Sequence, residues 1–273
     1  MMRSLWTAAS GMTAQQMNVD LIANNLANVN TAGFKKQRME FKTLLYQTMV
    51  RPTVDPATGI VAPSNLQVGL GVRPVATTRI FEMGNLERTE NNLDFAINGP
   101  GFFAIQRNLD TIAYGRDGNF RLSVADGGLM LVTAEGFPVL GVDDDVIIIP
   151  EGVNAATMRV SDDGTLLFTT VDGEIEDLGL QIALVQFANP QGLEAIGSNL
   201  FIVTASSGEP LLEADGMTAQ TSVILQGFIE MSNVQLAEEM VRLIIAQRAY
   251  EINSRAIQAS DDMLQQANNL RRG

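Results

Sequence analysis

"VQLAEEMVRLIIAQRAYEINSRAIQASDDMLQQANNL", residues 234–270, governs how the rest of the chain is read. Val234, Ala237, Val241, Ile245, Ala249, Ile252, Ala256, Ala259, Met263, Ala267 and Leu270 recur in steps of three and four, one apolar stripe along an α-helix. Ser232 or Asn233 can cap its start, and Glu238 and Glu239 suit the positive end of its dipole. With about 1.5 Å of rise per residue, this is a rod on the order of 55–60 Å long. A second stripe, Leu236, Met240, Ile244, Tyr250, Ile257 and Leu264, lies roughly 100° around the same helix. One partner helix cannot cover both stripes, so the helix needs several neighbours.

The opposite end of the chain is also helical by period. Leu5, Ala8, Met12, Gln15, Val19, Ile22, Leu26 and Val29 run without a break, and Gln15 is the single polar residue in that seam. Asn18, Asn24, Asn25, Asn28 and Asn30 crowd into the same stretch, although asparagine is a mediocre helix former. Asn24, Asn25 and Asn28 lie off the seam, where each amide can donate and accept at once. Were this helix packed among other copies, such amides are expected to meet groups of neighbouring subunits, where a charge would be costly to desolvate. Asn30 and Gly33 read as a helix stop, since both residue types tolerate left-handed backbone.

Between the helices the pattern changes. From about residue 86 to 204, short apolar runs are punctuated by Asn98-Gly99, Asp117-Gly118, Asp126-Gly127-Gly128, Asp163-Gly164, Asp172-Gly173 and Asn189-Pro190. This predicts an all-β body of hairpins, with "VIIIP" (146–150) and "LQIALVQF" (180–187) as its most buried strands. Residues 46–75 hold four prolines and predict extended, irregular chain. The expected fold is therefore α+β: N- and C-terminal helices pairing as a coiled coil, an all-β central domain and an extended linker region. The boundaries read as an N-terminal helix and turn over 1–45, a Pro/Gly-rich linking segment over 46–80, the β domain over 81–205, a return linker over 206–228 and the C-terminal helix over 229–273.

Composition narrows the function. The net charge of −13 is uneven: residues 1–45 carry +3, residues 46–228 carry −15 and residues 229–273 carry −1. So acidic a middle argues against a nucleic-acid or anionic-membrane partner. No run approaches the roughly 20 apolar residues of a membrane span, and no cleavable signal is legible at the N-terminus. There is no cysteine and no histidine, which removes disulfides, thiolate metal sites and the commonest general base. "NGPGFF" and "GLGV" lack nucleotide-loop spacing and read as tight turns, and Asp143–Asp145 lacks the alternating ligands of a calcium loop. No cofactor is expected. An acidic β domain acting on cell-wall carbohydrate through paired carboxylates, with the helices as a dimerisation handle, is the alternative to a structural protein; no carboxylate pair stands out for it.

"SLWTAASGMTAQQMNVDLIANNLANVNTAGFKKQ" resembles the N-terminal motif of the axial proteins of the bacterial flagellum, the rod and hook family, and "QGFIEMSNVQLAEEMVRLIIAQRAYEINSRAIQASDDML" resembles their C-terminal motif. "GNLERTENNLDFAINGPGFFAI", "YGRDGNFRL" and "LVTAEGFPVLG" resemble the family's β-domain motifs. Length, "LLYQT" and "NLQVGLGVRP" are most similar to the distal-rod branch, with the proximal-rod and hook branches as alternatives.

The resemblance implies a structural subunit without enzymatic activity, whose terminal helices line a self-assembled helical tube with the β domain outside. It implies export, without signal cleavage, by the flagellar type III apparatus into a rod spanning the periplasm. It further implies partners in proximal-rod and hook proteins through adaptors, and in bushing or sleeve ring proteins. On that reading Leu5, Met12, Val19, Ile22, Leu26 and Val29 pack on Val241, Ile245, Ile252, Ala256 and Met263 within and between subunits. Gln247, Arg248, Tyr250, Glu251 and Asn253 match the family's polar block and are expected at intersubunit contacts. The segment containing Tyr46, Pro52, Pro56 and Pro63 corresponds to the extra stretch of the rod branch, associated with a straight, stiff shaft.

Overall fold

The computed structural model describes residues 2–50, 65–108, 111–125, 128–150, 158–169, 175–216, 218 and 220–270. The chain divides into two units: Met1–Ala27 with Gln37–Thr78 and Gln235–Gly273, and Asn28–Lys36 with Arg79–Val234.

The first unit is built on two helices, α1 (Met2–Ala27) and α2 (Leu236–Leu270), which pack against each other. α1 ends before the predicted stop: Val29, expected in its seam, lies in a turn in which the Thr31 amide donates to the Asn28 carbonyl at 3.2 Å. The first unit also holds β structure where irregular chain was expected. Tyr46–Val50 pairs antiparallel with Leu66–Gly69, and Gln37–Thr43 pairs with Val72–Arg79. These flanks alternate or mix β-branched and long side chains, and three of the four prolines lie outside them. Pro52, Pro56 and Pro63 fall outside the described residues.

The second unit carries the β body. Its largest sheet has six strands in the order Glu194–Gly197, Leu200–Ile202, Thr111–Gly115, Phe102–Asn108, Leu184–Gln186 and Leu211–Leu212, each adjacent pair antiparallel. Consecutive strand residues point to opposite faces. Both faces of this sheet are covered, so its central strands read as unbroken apolar runs. Phe103, Ile105 and Leu184 enter one core with Phe95, Phe120, Leu131, Phe168 and Ile182. Phe102, Ala104 and Val185 enter a second core with Tyr114, Phe187 and Phe201. The second core is aromatic, with Tyr114 edge-on to Phe187 at 4.9 Å between centroids. Antiparallel ribbons Phe120–Ala125/Gly128–Thr133/Ile148–Pro150 and Arg159–Val160/Thr165–Thr169/Ile175–Gln181 complete the body. Within "LQIALVQF", Ile182–Val185 are closed to solvent as expected; "VIIIP" is less buried than expected, with Ile147 and Ile149 closed, Val146 and Ile148 half-buried and Pro150 exposed, since only one face of that strand meets the core.

Candidate self-association surface

The surface of the first unit is defined by what α1 and α2 use on each other. Their seam is antiparallel and small. Ser4 and Ser260 place hydroxyls 3.3 Å apart; a Cβ on Gly11 would stand 2.9 Å from Asn253 Nδ2; Asn25 Nδ2 donates to Glu239 Oε2 at 3.3 Å. On each helix these positions are multiples of seven apart, so one line of each helix faces the other. Ala8, Ala14, Ala246 and Ser260 are buried along it. Side chains this small let two helices approach closely.

The apolar stripe that dominates the α2 sequence lies elsewhere. Val241, Ile245, Ile252 and Met263 are 56, 62, 66 and 49% exposed, and Ala256 is exposed too. At about 100° per residue they sit roughly a quarter-turn or more from the line through Glu239, Ala246, Asn253 and Ser260. The second stripe divides: Leu236, Met240, Ile244 and Tyr250 are exposed, whereas Ile257 and Leu264 are half-buried. On α1, Ile22 is buried, and Leu5, Met12, Val19 and Leu26 are half-buried along the flank of the seam. Trp6 and Met17 are exposed on its outer side.

Several of the polar residues are engaged inside the chain. Asn25 is buried; its amide donates to the Gln37 carbonyl at 2.9 Å and to Glu239, and its carbonyl accepts the Gln37 N–H at 3.0 Å. This one side chain closes an amide pair on the residue that begins the next strand, which explains an asparagine two residues from a helix end. Asn253 is half-buried against Gly11. Gln247, Arg248, Tyr250, Glu251, Asn24 and Asn30 are exposed. Asn28 is half-buried and accepts from the Thr31 hydroxyl at 3.2 Å. Tyr46 is exposed on its ribbon. Gly33 has φ +67°, and a Cβ there would lie 2.7 Å from the Asp117 amide, so both backbone conformation and space require glycine.

Sequence reasoning missed a buried ion cluster in the second unit. Glu230 accepts from Lys35 Nζ at 2.5 Å, Arg116 Nη1 at 3.1 Å and the Gly84 N–H at 2.8 Å, with all three side chains closed to solvent. Lys35 Nζ also donates to the Glu82 carbonyl at 2.7 Å, and Arg116 Nη2 to that of Gly99 at 2.5 Å. The Arg116 guanidinium lies 5.2 Å over Phe102, a cation–π contact. Burial pulls the Lys35 ammonium down to about 8, against the opposing pull of the Glu230 charge. The available signal was context: each charge follows glycine directly or within three residues and stands beside aromatic or apolar residues, in "GFKK", "YGRD" and "GFIE".

Three family models match this chain: "Flagella basal body rod protein" over residues 5–35, "Flagellar hook protein FlgE/F/G D1 domain" over 96–168 and "Flagellar basal body rod FlgEFG protein C-terminal" over 225–270. The flagellar basal-body rod protein FlgG of Borreliella burgdorferi is 49% identical over 273 residues, all of both chains. The chain belongs to the FlgG family. FlgG of Caulobacter vibrioides is 44% identical over 99% of this chain and all of that one, and FlgG of Bacillus subtilis 39% identical over all of both. FlgG-family proteins are structural, and this chain is a structural subunit of the flagellar basal-body rod. The matched stretches at the two ends contain α1 from Leu5 onward, the turn to Lys35, and the run from Glu230 through α2. The buried ion cluster and the exposed α2 stripe therefore both draw on segments that the rod-family models match.

Proposed function

We propose that this subunit polymerises with copies of itself into the distal rod, a rigid hollow helical tube that carries motor torque to the hook. The observation that supports this reading is the exposed stripe Val241, Ile245, Ile252 and Met263 on a helix whose intramolecular seam is small and polar. A 35-residue helix that turns its largest aliphatic side chains to solvent gains most of its burial from other copies. Two terminal helices pairing as a coiled coil would form the inner layer of the tube, and the β body the outer layer. Gln247, Arg248, Tyr250 and Glu251 supply polar intersubunit contacts on this reading. The tube joins the proximal-rod and hook proteins through adaptors, turns inside ring proteins and receives its subunits from the type III export apparatus.

Limited proteolysis tests this. In a verified monomer both helical ends are expected to be cut first, and in assembled tubes both are expected to be protected. Ends that resist protease equally in monomer and polymer would contradict the proposal.

A further inference from the structure

The first unit contains a cleft of about 300 Å³ between α1, the strand Gln37–Thr43 and α2. Its apolar lining includes Ile22, Met39, Phe41, Ile245 and Ala249. Its polar lining includes Gln15, Asn18, Gln37 and Glu239; of these, Gln37 is bound by Asn25, and Glu239 by Asn25 and Arg242. Arg38, an exposed residue, also lines the cleft, as does Arg242, which donates to the exposed Glu238 at 2.6 Å. An apolar hollow with a cation in its lining fits an unbranched apolar side chain next to a carboxylate.

Such a group exists on α2. Met263 is 49% exposed and directly follows Asp261 and Asp262, both exposed; Asp261 is engaged by Gln265 one turn on. Methionine fills irregular hollows readily. The four most exposed apolar side chains described in this unit, Leu45, Leu270, Trp6 and Met2, each lie within three residues of a cation, which would meet Arg38 as a like charge. Met263 cannot fill the cleft of its own chain. It lies 14 to 18 residues along the same unbroken helix from Ala249 and Ile245, which is about 21–27 Å.

We propose that Met263 of one copy seats in the cleft between α1 and α2 of another, with Asp262 facing Arg38. This rests on the self-association reading above and names the contact that makes it directional. Hole and knob are different patches of one helix; exchanged reciprocally about a two-fold axis they would close a dimer, and we place them head to tail, the heterologous arrangement that propagates into an open filament. With the two α2 helices parallel, this head-to-tail contact staggers successive copies by about 21–27 Å along α2.

The chain has no cysteine, so Ala249→Cys with Met263→Cys provides a clean cross-linking pair. Two cysteines on one helix at that spacing cannot join each other, because a disulfide needs Cα atoms within about 7 Å. Oxidised polymers of the double variant are expected to run as a ladder of dimers, trimers and longer chains, and each single variant as monomer. Polymers without a ladder, or a ladder that stops at dimers, overturn the proposal while leaving self-association intact. A parent chain that forms no polymer overturns both. Should the double variant not assemble, charge exchange decides: Arg38→Glu is expected to raise the critical concentration about tenfold, and adding Asp262→Arg to lower it again. No effect of Arg38→Glu, or no recovery, overturns the proposal.

Discussion

Glu230 is held by two cations and a backbone amide in a site closed to water, and its loss would leave Lys35 and Arg116 buried without their counter-charge. Breaking such a pair from one side costs about 3–5 kcal/mol. Glu230→Gln is expected to lose stability of that order, measured by urea unfolding of the second unit, with Glu230→Asp intermediate. The same cluster gives a pH dependence. The Lys35 ammonium is at about 8 in the folded chain against 10.5 unfolded, chiefly through burial. Below pH 8 both states hold the proton, and the desolvation cost is fully present. Between about pH 8 and 10.5 the unfolded chain binds more protons, so this contribution to stability rises with pH, by at most roughly 3 kcal/mol. Lys35→Met should flatten that rise, read as the difference in urea midpoint between the two chains at pH 7.5 and pH 10. Nothing in hydrophobic periodicity marks Lys35, Arg116 or Glu230, because they are three isolated charges far apart in sequence that meet only when the sheet ribbons close. Asn25 was legible as unusual, yet its partners, Gln37 and Glu239, depend on how the chain returns after α1.

At the level of elements, both terminal helices and the β body between them were legible, but the line along which the helices meet was not. Periodicity selects the most apolar stripe of a helix, and in α2 that stripe is Val241, Ile245, Ile252 and Met263. The actual seam runs through Glu239, Ala246, Asn253 and Ser260 opposite Asn25, Gly11 and Ser4. Small and polar residues give no hydrophobic signal, although their seven-residue spacing is present in both segments. On the proposed self-association, the strongest stripe is left free for other copies. The seam makes its own prediction. Gly11→Leu forces a branched side chain onto Asn253 and is expected to destabilise the helix pair by about 1–3 kcal/mol, seen as faster hydrogen exchange in α2 with the β body unchanged. Gly11→Ala should have a much smaller effect, because the contact is the end of a side chain that can move. The strand pairing within 46–75 was hidden by its four prolines, three of which lie between the paired strands, so that stretch reads as irregular. The two-faced core of the central sheet was half legible: "LQIALVQF" predicts burial, but only the structure assigns alternate residues to separate cores.

Over the whole molecule, charge and exposed apolar surface divide the work. The −15 carried by residues 46–228 suits a body facing water, and the near-neutral ends carry most of the exposed large apolar side chains. The charge half of this division is legible in composition alone, and the proposed polymer gives it a purpose. The central claim is that the outward stripe of α2 holds copies together. The most direct measurement is electron microscopy of the concentrated chain beside Ile252→Asp, a change on that stripe away from both the helix seam and the cleft. The parent is expected to form filaments, and Ile252→Asp to stay monomeric by sedimentation with an unchanged circular dichroism spectrum. Filaments from Ile252→Asp at the parent's critical concentration would contradict the account.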